Sequence, residues 1–198
     1  MTDQLFLSIW LDITSREKRL RHFEKMLRLF PFSPREHLES VISIRAIDTT
    51  EPPLLERPIK GVIDVSEVMS IFNDYTGDDV AYTLEAWWDL WQFDEDWKLG
   101  PSAVALSCFG SSFDNGTELG TTEQEDLRID LGVDSNYLPQ LEVPGSAKLT
   151  ESNIKSLLRF VYDIESSLPV ARRRLETESG ENFAERLQQV LTPSGTLQ

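Results

Sequence analysis

Glu85, Trp87, Asp89 and Trp91 follow one another at every second position. In an extended strand, side chains two apart stand on the same face. The spacing therefore predicts a row in which carboxylates alternate with indoles. Such a row suits a Lys or Arg guest: the carboxylates pair with its charge and the ring faces attract the cation. It equally suits a sugar ring or a partner helix, because an indole is apolar on its face and hydrogen-bonds at its edge. Arg128 and Asp130 stand two apart in a later apolar stretch. If their strand shares the sheet in matched orientation, they join the same face. The candidate binding surface is thus Glu85, Trp87, Asp89, Trp91, Arg128 and Asp130. The competing reading is structural: Ala103, Ala105 and Ser107 make room for the indoles to lie flat under a covering helix or loop.

Other chemistry is poorly provided for. His22 and His37 are the only histidines, and both are expected in solvent. A zinc hydrolase or a Ser-His-Asp triad is disfavoured on that count. The chain holds no G-x-S-x-G, no G-x-x-x-x-G-K-[ST] and no G-x-G-x-x-G. Cys108 is the sole cysteine, expected as a buried, inert thiol. Asn73 to Asp79 resembles a calcium loop only superficially, because Gly77 is misplaced and the closing Glu is missing. Glu85 and Asp89 lie roughly 13 Å apart along a strand, beyond the ~5–10 Å used in glycoside hydrolysis. No catalytic residue, cofactor or metal is expected.

The row must be held by a strand, and Val80–Phe93 supplies it. Its even positions, Val80, Tyr82, Leu84, Ala86, Trp88 and Leu90, form the apolar set and should face helices. Ser102–Phe113 is its expected hairpin partner, through a turn at Gly100-Pro101. Val104, Leu106 and Cys108 should face inward. Leu127–Val133 is the third strand, offering Leu127, Ile129 and Leu131 to the core. Upstream, Leu5–Leu11 and Val41–Ile47 read as strands. Thr14 and Glu17 form a capping box for a helix with Leu20, Phe23, Met26, Leu27 and Phe30 inward. Asp64 caps a second helix carrying Val65, Val68, Met69 and Phe72.

Residues 49–61 hold Pro52, Pro53 and Pro58 and read as a loop. A third helix is expected from Thr150, with Ile154, Leu157, Leu158, Val161, Ile164 and Leu168 inward, broken by Pro169. A fourth is expected over Glu181–Leu191. The predicted fold is α+β: a mostly antiparallel sheet of about five strands in the order β-α-β-α-β-β-β-α-α, with helices packed on one face. Residues 1–191 are read as a single domain and 192–198 as a flexible tail.

Charge bounds the partners. The chain carries 34 acids against 19 bases, a net charge of −15 in 198 residues. Such a field repels phosphate backbones and anionic lipid heads, so neither nucleic acid nor membrane is an expected partner. A basic protein is. One stretch runs the other way: Arg16–Arg28 carries six bases against two acids, net +4, so the rest carries −19. That basic helix could support self-association. Arg172, Arg173 and Arg174 form a second cluster. With one cysteine, no basic leader and no long apolar run, a cytoplasmic location is expected.

The resulting expectation is a non-enzymatic acidic binding protein, with Trp87 and Trp91 as anchors and Glu85 and Asp89 as charge partners. Its element order over about two-thirds of the chain loosely resembles immunity proteins of contact-dependent toxin systems, a fold-level likeness without a diagnostic motif. That likeness implies an immunity-type or regulatory partner of a basic protein. The alternative is a small-molecule or carbohydrate binder, or an enzyme, using the same Trp/carboxylate face.

Overall fold

The computed structural model describes residues 3–13, 15–35, 37–116, 124–140 and 142–191. Strands β1 (Gln4–Leu11), β2 (Glu39–Ala46), β3 (Leu55–Lys60), β4 (Val80–Asp94), β5 (Asp96–Phe109), β6 (Leu127–Val133) and β7 (Val170–Thr177) build one sheet. Its order is β3-β2-β4-β5-β6-β1-β7, and every neighbouring pair is antiparallel. The helices are α1 (Arg16–Leu29), α2 (Val65–Asn73), α3 (Ser146–Ser167) and α4 (Phe183–Leu191). The fold is α+β with an antiparallel sheet, but of seven strands rather than about five.

Alternation in β4 decides which face is inside. Val80, Tyr82, Leu84, Ala86, Trp88 and Leu90 are all buried. They join Leu106, Cys108, Ile129 and Leu131 from β5 and β6, and Phe23, Phe72 and Phe160 from the helices, in one core. Phe30 packs edge-on against Trp88 at 5.3 Å and against Phe160 at 5.0 Å, the arrangement that ring quadrupoles favour. Each fully buried side chain of this size contributes about 1.5–3 kcal/mol by leaving water.

Two strands appear where the sequence predicted none. Pro58, which argued for a loop, sits in β3 opposite Val41. An edge strand tolerates proline because no neighbour needs its missing N–H. At the other edge β7 follows Pro169 directly and carries the three arginines. The β4–β5 turn also differs. It falls at Glu95, with φ 54, whereas Gly100 and Pro101 lie inside β5 opposite Leu90 and Asp89. Pairing of β5 with β6 begins only at Ala105, so Pro101 has no second neighbour to disappoint.

Helix starts shift as well. Ser15 is the N-cap of α1 and makes no side-chain capping bond; Thr14 of the expected box lies outside the described residues, as do 117–123 and the expected tail 192–198. Asp64 caps α2 as expected, accepting from the Ser66 N–H at 2.8 Å. Gly145, with φ 79, precedes α3, which starts at Ser146 rather than Thr150. No helix among the described residues is long and apolar enough to cross a membrane.

The basic stretch of α1 is partly consumed inside the fold. Arg16 donates to the Tyr75 carbonyl and the Tyr82 hydroxyl, and Arg19 pairs with Asp126 at 2.8 Å. Arg28 pairs with Glu24 one turn earlier. Lys18, Arg21 and Lys25 remain exposed.

Candidate functional site

The sheet face opposite the core is only partly covered. At one end Ala81, Phe109 and Phe113 form a small second cluster. Beyond it, the register sets out a row across three strands: Glu85 lies opposite Ala105, and Ala105 opposite Asp130. Trp87 lies opposite Ala103 in the next row. Because β5 contributes only methyl groups here, the neighbouring strands stand up as walls. The result is a groove of about 610 Å³. Ala103 and Ala105 form its floor. Glu39, Val41, Glu85 and Trp87 line one side; Asp130, Gly132, Val133 and Gln4 line the other.

A bulge shapes the second wall. The β1–β6 register slips by one residue between Gln4 and Phe6. Gly132 adopts φ 75 there, and a Cβ at that position would lie 3.2 Å from the Ala103 carbonyl oxygen. An extra residue of this kind bends a strand and redirects its side chains. The Asp130 carboxylate accepts from the Gly132 N–H at 2.9 Å and so closes the bulge. Burial raises the Asp130 pKa, against the lowering effects of the Gly132 N–H and of Arg128.

Trp87 is held in place. Its indole N–H donates to the Glu39 carbonyl at 2.8 Å, which lays the ring toward β2. Glu85 is exposed, and no ion pair reaches Glu85 or Asp130 among the described residues. Among the described residues Glu39 pairs only with Lys60, at 4.0 Å.

The remaining expected residues are committed elsewhere. Asp89 accepts from the Ser33 hydroxyl at 2.9 Å and lies 3.4 Å from Arg35 Nε. Trp91 is gripped through its backbone: Asn153 of α3 accepts from its N–H at 2.9 Å and donates to its carbonyl at 2.8 Å. Neither lines the groove. Arg128 pairs with Glu125 and lies over the rings of Phe6 and Phe109, 5.8 and 5.6 Å from their centroids. Of the six candidates, the groove gathers Glu85, Trp87 and Asp130.

No known protein family, curated protein or solved structure matches this chain. The groove's own residues must carry any functional reading.

Sequence reasoning missed Glu39, Val41 and Gln4. Alternation along β2 places Glu39, Val41 and Ser43 on one face, but only the register, Val41 opposite Glu85, brings them to the groove. Two other residues stand as follows. His22 is half-buried rather than exposed, and burial, followed by Lys25 and Lys18, lowers its pKa. Cys108 is buried in the core, where desolvation pushes its thiol to about 12. Among the described residues, no group of His, Cys, Asp and Glu side chains is placed to hold a metal ion.

Proposed function

We propose that this protein is a binding protein that receives a basic segment of a partner in the groove across β4, β5 and β6. One observation carries the reading: Glu39, Glu85 and Asp130 line one groove with an anchored indole, with no ion pair to Glu85 or Asp130 among the described residues. Aromatic anchors in a groove concentrate binding energy, and the net charge of −15 steers a cationic partner toward the surface. An immunity-type inhibitor or regulator of a basic protein is the form this takes.

The groove's concavity favours a second reading, a small-molecule or carbohydrate binder. Ligand sites are characteristically concave with a few converging polar groups, and Trp87 would be the platform for a sugar ring.

Affinity capture separates the two. Wild type is compared with a Trp87→Ala/Glu85→Lys variant whose folding is checked by circular dichroism. The expected result is a basic protein retained by wild type and lost from the variant. Retention by both removes the groove from the interface. A saturable change in tryptophan fluorescence with neutral glycosides, and no retained protein, supports the second reading instead.

A further inference from the structure

We propose that the groove takes one arginine side chain of the partner, laid along Ala103 and Ala105, with its guanidinium between Glu85 and Asp130 and one face on Trp87. This rests on the binding reading above and narrows it to a single recognised group. The trough is one strand wide: Glu85 and Asp130 stand two strand spacings apart, with Cα atoms about 9.5 Å from each other across Ala105. A side chain with a long apolar stem and a flat charged head fits that shape. Alanine methyl groups meet the stem and carboxylates face the head from both sides.

Charge complementarity selects the occupant. Two arginines near this face are already engaged, Arg35 on Asp89 and Arg128 on Glu125. Neither carboxylate of the trough has an ion pair among the described residues, and the Arg128 charge that reaches Asp130 is shared with Glu125. Burial already disfavours the ionised form of Asp130, and an entering cation relieves that cost. A guanidinium suits the place better than an ammonium. It is planar, donates in a fork to carboxylates on either side, and stacks on an aromatic face. Because the Trp87 indole is pinned to Glu39, little side-chain freedom is lost when the guest stacks on it.

The test uses the full chain and three blocked tripeptides: Gly-Arg-Gly and its lysine and citrulline counterparts. The readout is the indole N–H signal of Trp87 in a nitrogen–proton correlation spectrum, assigned by its disappearance in Trp87→Phe. The expected result is a saturable shift with the arginine peptide, with affinity about fivefold weaker for lysine and no shift with citrulline. Asp130→Asn keeps an acceptor for the Gly132 N–H, so the bulge survives, yet it should weaken arginine binding about tenfold, one charge-assisted bond's worth. Glu85→Gln should act alike. Equal binding of lysine or citrulline, or an unmoved Trp87 signal, overturns the proposal. So does concentration-dependent self-assembly in sedimentation that Asp130→Asn abolishes, since a second copy's basic helix would then occupy the groove. If the peptides fail while Trp87→Ala/Glu85→Lys still loses its captured partner, the arginine is wrong and the binding reading stands. If capture is indifferent to that variant, the binding reading itself fails.

Discussion

The Trp87 indole N–H donates to the Glu39 carbonyl oxygen at 2.8 Å, tying the ring of one strand to the backbone of the next. Trp88, its neighbour in sequence, points the other way and is 3% exposed among Phe30 and Phe160. One residue step thus separates a core indole from a surface one.

That contrast fixes the first expectation. Trp88→Ala should cost about 3–5 kcal/mol through lost burial and the cavity left behind. Trp87→Ala, losing one hydrogen bond and part of its packing, should cost about 1 kcal/mol. Urea unfolding of both variants checks the ratio. Equal losses would mean that Trp87 is a core residue and no anchor.

Asn153 is 2% exposed and serves three backbone groups: Trp91 N–H, Trp91 carbonyl and the Asn136 carbonyl at 2.7 Å. Replacing it with alanine strands all three. The expected destabilisation is on the order of 3 kcal/mol, since each unpaired buried group costs about 1–3 kcal/mol unless water reaches it. Faster amide exchange at Trp91 in Asn153→Ala locates the damage; unchanged exchange there would rule out this role.

Asp130 gives a pH dependence of definite sign. Its pKa is raised in the fold above the ordinary 3.8, first because of burial. The fold therefore prefers the protonated acid. Its contribution is fully present below the unfolded value and is lost as pH rises through the higher folded value. At neutral pH the carboxylate is a liability that an amide would not be. Asp130→Asn should be more stable than wild type at pH 7, and the difference should vanish below pH 3.8. Denaturant midpoints across pH measure this, and a variant less stable at pH 7 contradicts it.

Cys108 should be inert. Its thiol is buried and pushed to about 12, so the thiolate is scarce at pH 8 and alkylating reagents cannot reach it. Iodoacetamide should label the protein only in unfolding urea. Rapid labelling of the folded chain would move β5 out of the core.

Much of this was legible because strand alternation is a local property. Val80 to Leu90 sorts into buried and outward sets from the residue types alone, and Glu85, Trp87 and Asp130 do share a face. Local signals failed where tertiary context overrode them. Pro58 reads as a loop residue until its strand is seen at the sheet edge, and Gly100-Pro101 reads as a turn until Glu95 is found making it. Leu158 reads as inward on α3 from its spacing yet is 57% exposed, with Phe160 occupying the core side instead. The division of the site was illegible for the same reason. Asp89 is neutralised by Arg35, 54 positions away in the chain, and Arg128 is drawn off to Glu125 and two rings. No spacing rule shows which carboxylates stay outside the ion pairs formed among the described residues.

The central claim is that the open face of β4, β5 and β6 is where this protein binds. Labelling the chain with 5-fluorotryptophan and adding the captured partner, or the blocked Gly-Arg-Gly peptide, addresses it most directly. The fluorine signal of Trp87 should move with saturation, while that of Trp88, on the core face of the same strand, stays fixed. A bound partner that leaves Trp87 unmoved would contradict the account.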